Sequence, residues 1–257
     1  MPFELGNRNP RIERIRQLQT PRGRRDQSRF AIEGPTLIAE ARRSGLRIRE
    51  LYAVPAVLAE HPGLAGLEAA DLPVFLVADR LYARLSDLQS PPGLLAVLDL
   101  PATGLEAVLA RAGTILLLAG VNDPGNAGTL LRSAEAFGAA GVLFGRGGVD
   151  PFAPKVVRAA MGALFRLPVA PVDCAELLAG AAAAGRPILA ADADGRDVDS
   201  LILPADAILA VGNERRGVRD WLTRWDTTVA IPHTGPAESL NAAVAGSILL
   251  YLLSRRR

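Results

Sequence analysis

Cysteine is all but missing from this 257-residue sequence: Cys174 stands alone, so no intramolecular disulfide can form and a cysteine-built metal cluster is excluded. A reducing cytoplasm suits such a chain. Histidine is nearly as scarce. His61 and His233 are too few for a typical histidine-based zinc site, and no metal is expected. Aromatics amount to 5% of residues, so leucine, alanine and valine must fill the core. Long apolar runs are lacking too. The most apolar late stretch, 242–253, falls well short of the roughly 20 residues a membrane span requires, and it reads as a buried helix. The opening MPFELGNRNPRIERIR is polar and basic, without the apolar centre of a secretory signal. No membrane partner is expected, and the protein is read as cytoplasmic.

Lysine is the last scarcity: of 29 basic residues only Lys155 is a lysine. A GC-rich coding bias accounts for most of that skew. It still has a physical consequence, since the planar guanidinium suits phosphate oxygens and stacks on bases. Net charge is +2 and unevenly spread, with twelve arginines against six acids in residues 1–50 and a slightly acidic remainder. A basic arm on a near-neutral body fits a polyanionic partner. Hydrophobic residues make up 49% and charged residues 22%, which describes a globular chain of one large domain or two small ones.

Residues 8–20 set Ile12, Ile15 and Leu18 on one face with arginine between, a short amphipathic basic helix. The stretch PRGRRDQSR after it reads as a mobile basic segment, either a solvated linker or a direct contact with the polyanionic partner. Strand patterns at 30–33, 48–54, 74–77 and 94–98 then alternate with helical ones at 35–44 and 55–60, and with a helix that Asp79 caps and that runs through Leu85. The expected organisation is a basic arm over 1–28, a small α/β unit over 29–100, a linker over 101–113 and a larger α/β domain over 114–257. That domain opens with TILLLA, a fully apolar run suited to a central parallel strand, and strand-like runs recur at 142–144, 167–172, 188–191, 208–211 and 228–231. Helical stretches between them argue for a parallel sheet covered on both faces, whose ligands gather at the carboxyl ends of the strands.

Three loops in such positions are rich in polar residues and glycine. The first, NDPGNAG from Asn122, has Asn126 as a candidate helix cap, with Arg132 further into the helix. The second, GNERRG from Gly212, follows an apolar strand; a glycine there allows close backbone approach to a ligand, and Glu214 next to Arg215 and Arg216 is compatible with a surface ion pair of small value. Neither a Walker loop nor a GxGxxG fingerprint is present. The third runs from Ile231 through His233, Ser239 and Leu240 to Asn241. Ser239 is explicable as a helix cap; Asn241 before an apolar helix needs partners of its own, a ligand or a backbone clasp.

Each loop alone is an ordinary turn or cap. Jointly, NDPGNAGTLLRSAEAFG, VGNERRGV and IPHTGPAESLNAAVAGSILLYLL resemble, in order and separation, the three motifs of the SpoU (TrmH-like) RNA 2′-O-ribose methyltransferases, over about residues 114–253. RFAIEGPTLIAEARRSGLRIRELYAV further resembles that family's small substrate-binding domain, similar to an RNA-binding ribosomal protein. His233 departs from the methionine common in the third motif. The resemblance implies a parallel-sheet SPOUT domain with a deep trefoil knot, S-adenosylmethionine as methyl donor, and a homodimer through the catalytic domain with the final helix at the interface. By correspondence Gly212, Asn213, Ile231 and Leu240 hold the cofactor, while Asn126, Arg132, Glu214, Ser239 and Asn241 form the catalytic set. A guanidinium stays protonated, so Arg132 is read as an anchor for an RNA phosphate and developing alkoxide charge rather than as a base. Ribosomal RNA is favoured over transfer RNA as the acceptor, because a basic arm and an added domain suit a bulky folded substrate. The competing readings are a non-catalytic RNA-binding protein that keeps the fold and an α/β nucleotide-binding oxidoreductase. The intact polar set opposes the first, and the missing dinucleotide fingerprint opposes the second.

Overall fold

The computed structural model describes residues 3–65, 72–236 and 239–255; Ala237 and Glu238 of the third loop lie outside the described residues. The chain divides into two compact units, Met1–Pro101 with Phe152–Arg158, and Ala102–Pro151 with Ala159–Arg257.

In the first unit, β1 (Phe3–Leu5), α1 (Pro10–Gln17), α2 (Pro21–Gln27), β2 (Arg29–Glu33), α3 (Pro35–Arg43), β3 (Ile48–Ala53), α4 (Pro55–Glu60), α5 (Pro62–Ala65), β4 (Val74–Val77), α6 (Asp79–Tyr82) and β5 (Leu94–Asp99) follow in sequence. The sheet has the order β1-β4-β3-β5-β2. β4 is parallel to both β1 and β3, and β5 is antiparallel to both β3 and β2. Ile12, Ile15 and Leu18 of the first helical stretch bury in one cluster with Tyr52, Phe75, Leu95 and Val97 of the sheet. Each such side chain contributes roughly 1.5–3 kcal/mol, more than the exposed Arg16–Glu13 ion pair on the same helix can.

Residues 1–28 are therefore not a separate arm. The stretch expected to be mobile is α2, and its sequence explains why. Thr20 caps it by accepting from the Gly23 backbone N–H, and Pro21 stands at its first turn. A β-carbon on Gly23 would lie 2.1 Å from the Gln17 carbonyl oxygen, so only glycine lets the two helices meet there. Arg24 is 2% exposed and donates to the Leu18 carbonyl oxygen at 2.7 Å. Asp79 is not a cap either: Ala78 holds that position and α6 ends at Tyr82, short of Leu85. Burial raises the Glu33 carboxyl above its ordinary range against the opposing hydrogen bond from Ser86. Arg158, which belongs to this unit, grips Asp87 with both terminal nitrogens at 2.7 and 2.9 Å and holds that carboxyl low.

In the second unit, α7 (Leu105–Leu109), β6 (Ile115–Ala119), α8 (Pro124–Ala136), β7 (Gly141–Gly145), β8 (Val169–Val172), α10 (Cys174–Ala183), β9 (Ile188–Asp197), β10 (Ile208–Gly212), β11 (Thr227–Ala230) and α11 (Ala242–Ser254) carry the fold; α9 (Pro154–Ala160) lies between β7 and β8 in sequence. The expected linker thus holds α7, which is part of this unit. Six strands form one sheet, β11-β9-β10-β6-β7-β8, with every neighbouring pair parallel. β6 is buried at every position, as a strand covered on both faces must be. On one face Val108, Leu109, Leu177 and Ala181 of α7 and α10 join Ile115, Leu117, Ile208 and Ala210 in a core. On the other, α11 presses so close that a β-carbon on Gly246 would meet Leu130 Cδ2 of α8 at 2.5 Å and Val211 Cγ2 of β10 at 2.9 Å. The hydroxyls of Ser133 and Ser247 join the same two helices at 2.6 Å. Among the described residues no helix is long and apolar enough to cross a membrane.

Strand order reverses at β6, which has β7 on one side and β10 on the other. In open parallel sheets that switch opens a crevice at the strands' carboxyl ends. The loops after β6 and β10 leave from there, and the loop after β11 leaves from the same end of the sheet.

Candidate active site

Asp123 begins the site. Its carboxylate accepts from the Asn126 backbone N–H at 2.7 Å and caps α8, with Pro124 at the first turn. Asn126 is not the cap, contrary to expectation, and its side chain is committed elsewhere. Its amide nitrogen donates to Glu214 Oε1 at 2.5 Å, and its amide oxygen accepts from Asn241 Nδ2 at 3.1 Å. Asn241 in turn caps α11, accepting at Oδ1 from the backbone N–H groups of Ala243 at 2.9 Å and Val244 at 3.2 Å. That role falls to Asn241, not Ser239. Glu214 therefore faces an amide, whereas Arg216 beside it pairs with Asp220. One polar chain, Glu214–Asn126–Asn241, ties the three loops.

The second loop is closed by its own backbone. Asn213 and Gly217 exchange N–H···O bonds at 3.2 and 2.8 Å, and Gly217 holds a φ of 66°. A β-carbon on Gly212 would stand 2.1 Å from the Gly217 carbonyl carbon, so the hairpin folds back on the strand only over glycine. The Asn213 side chain accepts from the Arg215 backbone N–H at 2.9 Å.

A cavity of about 620 Å³ opens between these loops. Gly212, Asn213, Glu214, Ile231, Ser239, Leu240 and Asn241 line it, with His233 at the same wall. Val211, Val229, Ala245 and Leu249 add apolar surface. The volume lies within the roughly 300–1,000 Å³ of small-molecule sites. Apolar wall suits a purine ring, close backbone at Gly212 suits polar edges, and the Glu214 and Asp192 carboxylates suit a cationic ligand. The donor set thus fits S-adenosylmethionine.

Of the nine residues singled out in the sequence, seven line this cavity and Asn126 hydrogen-bonds to two of the seven. Arg132 does not join them. It is exposed on α8 and makes no hydrogen bond or ion pair among the described residues. Sequence reasoning missed the middle of β9, where Ala191, Asp192 and Ala193 line the cavity and Arg219 stands 3.7 Å from the Asp192 carboxylate. The signal was the abrupt change from ILAA to DAD, a strand's apolar run turning polar.

Residues 113–251 match the SpoU rRNA Methylase family, and residues 9–96 match the MRM3-like substrate binding domain. The chain is 30% identical over 248 residues, 96% of each chain, to the 23S rRNA (guanosine(2553)-2'-O)-methyltransferase RlmP of Bacillus subtilis. It is 35% identical over 178 residues to the 23S rRNA (uridine(2479)-2'-O)-methyltransferase of Streptomyces viridochromogenes, covering 66% of this chain and 62% of that one. Among solved structures, the SpoU methyltransferase AviRb of S. viridochromogenes, in complex with AdoMet, superposes with a TM-score of 0.86 at 30% identity, over 97% of this chain and 98% of that one. With more than half its length matching one family and a near-full-length relative at 30% identity, the chain belongs to the SpoU rRNA methylase family.

Proposed function

We propose that this protein transfers the methyl group of S-adenosylmethionine to a ribose 2′-hydroxyl of ribosomal RNA. The observation that carries the reading is the Glu214–Asn126–Asn241 chain at the mouth of the cavity, which holds three separate loops in one geometry. Gly212, Asn213, Ile231 and Leu240 hold the donor, by backbone and apolar contact. The donor supplies a methyl carbon on a positively charged sulfur, so the leaving group needs no acid. What the protein must provide is alignment of the acceptor oxygen behind that carbon. The 2′-oxygen forms the new C–O bond, the C–S bond breaks with its electron pair going to sulfur, and the hydroxyl proton leaves to water or phosphate. Arg132 anchors the neighbouring phosphate and the charge developing on oxygen. Glu214, Ser239 and Asn241 orient the loops.

The same reading makes the protein a homodimer through the catalytic unit. Val244 and Tyr251 of α11 are 47% and 45% exposed, as apolar side chains awaiting a second copy would be. Arg132 lies outside the lining of its own chain's cavity, which fits an RNA site spanning two subunits. The family resemblance supports a trefoil knot in the C-terminal segment, which would lock the second and third loops together. The first unit holds the RNA, through arginines such as Arg8, Arg14 and Arg25 that are exposed and make no ion pair among the described residues. Such an enzyme works in the cytoplasm, where its substrate is.

The test is ribose-methylation mapping across total RNA from cells with and without the gene, followed by methyl transfer from labelled S-adenosylmethionine to the unmethylated RNA. Loss of one ribosomal mark, restored in vitro, is expected. A lost transfer-RNA mark would move the substrate, and no lost mark with no S-adenosylmethionine binding by calorimetry would favour the non-catalytic reading.

A further inference from the structure

Helix α9 ends at Ala160, and the next two residues both adopt left-handed backbone: Met161 with φ 49° and Gly162 with φ 93°. A left-handed residue commonly ends a helix, and glycine is the residue that does so without steric cost. Here a methionine takes the first of the two positions. Its flanks are fully packed, with Ala160 and Ala163 at 0% exposure and Leu164 at 2%, whereas Met161 itself is 50% exposed. A strained corner is thus held rigid on both sides, and its one free element is an apolar side chain in solvent. Such strain collects at functional sites.

The corner lies along α8. A β-carbon on Gly128 would sit 2.2 Å from the Ala159 β-carbon, so at that point the two backbones touch. Two turns later Glu135 pairs with Arg166. Gly128, Arg132 and Glu135 fall on one stripe of the helix by their spacing of four and three. Between those two fixed points, Gly128 with Ala159 and Glu135 with Arg166, the chain carries Met161 along the side of α8 that bears Arg132, and both side chains are exposed.

We propose that Met161 is a substrate-contacting residue, whose thioether packs against a nucleobase flanking the acceptor ribose while Arg132 takes the adjoining phosphate. This rests on the reading of Arg132 as part of the RNA site. Methionine suits the task because its polarizable, unbranched side chain lies flat against aromatic surface of varied shape.

The experiment uses the full-length protein, unmethylated ribosomal RNA from a strain lacking the gene, and labelled S-adenosylmethionine. Met161→Gly relieves the backbone and removes the side chain; Met161→Leu keeps an apolar side chain. Met161→Gly is expected to melt at or above the parent's temperature and to bind S-adenosylmethionine within twofold of it. Its kcat/KM for RNA should fall by about tenfold or more, the scale of a lost apolar contact, with Met161→Leu recovering most of it. A kcat/KM within twofold of the parent for Met161→Gly would overturn the proposal. So would a change in oligomeric state by light scattering, which would make Met161 an interface residue. Arg132→Ala run in parallel separates the two readings. If it leaves the rate unchanged, the placement of the RNA site fails; if it abolishes the rate while Met161→Gly does not, only the present inference fails.

Discussion

Asn126 and Asn241, 115 residues apart in sequence, share a single hydrogen bond at 3.1 Å, and each has its other amide atom already engaged. Asn126 donates to Glu214 while Asn241 caps the last helix. A change at either residue therefore acts on a loop it does not belong to.

Asn241 allows fold and function to be separated. Asn241→Ala removes a cap, a loss of about 1 kcal/mol, together with the tie to Asn126. Asn241→Asp keeps the capping oxygen but turns a donor into a carboxylate facing the Asn126 carbonyl. We expect the aspartate variant to melt near the parent temperature and lose at least tenfold in kcat, the scale of a lost polar contact to a reacting group. Thermal melts and single-turnover methylation measure both. An active aspartate variant would remove the tie from the mechanism.

Gly212→Ala should abolish donor binding. Its new methyl group would lie about 2 Å from the Gly217 backbone, which cannot yield without opening the hairpin. Overpacking of this kind costs about 1–3 kcal/mol. Calorimetry with S-adenosylmethionine reads the outcome, and wild-type affinity would show that the hairpin is not what shapes the pocket.

For Arg132, the expected signature is a pH–rate profile of unchanged shape in Arg132→Lys, with kcat down by about 100-fold and RNA affinity retained by filter binding. Lysine keeps the charge and loses the fork. A profile whose basic limb shifts would instead identify the arginine as the proton acceptor.

Acidity should act on the first unit in two opposite ways. Glu33 has its carboxyl raised, chiefly by burial, above the ordinary 4.5. A raised carboxyl contributes stability below its ordinary pKa and loses it as pH climbs through the raised value. Glu33→Gln should therefore stabilise the protein at pH 7–8 and leave it little changed near pH 4. Asp87, held low first by its hydrogen bond from Arg158, runs the other way: its contribution is present above about 3.8 and lost as acid protonates it. Asp87→Asn should lower the melting temperature at pH 7 and converge on the parent as pH falls through the lowered value. Melting curves across pH decide each; a parallel offset at all pH values would exclude titration as the cause.

Much of the site was legible because apolar runs and polar loops alternate so plainly. TILLLA and ILAVG predict strands, and both are central and buried. What the sequence could not order was space. Nothing in it says that β9 lies between β10 and β11, which brings Asp192 to the cavity wall. Nor does periodicity choose among capping candidates. Asp123 and Asn126 are both competent caps, and the choice fell to Asp123 because Asn126 is engaged by residues 88 and 115 positions away. The basic stretch of α2 misled for a similar reason, since composition cannot reveal that Arg24 has a carbonyl to bind in the interior.

Residues Phe152–Arg158 belong to the first unit although more than fifty residues of the second precede them. The Phe152 ring lies 5.0 Å from Phe30, and Arg158 grips Asp87. No single cut therefore yields either unit whole. A fragment ending at Pro101 loses a ring from its core and the cation that holds Asp87 ionised, and a fragment starting at Ala102 carries an orphaned segment. Exchange of the first unit between relatives, in the laboratory or in descent, has to move two stretches of gene together.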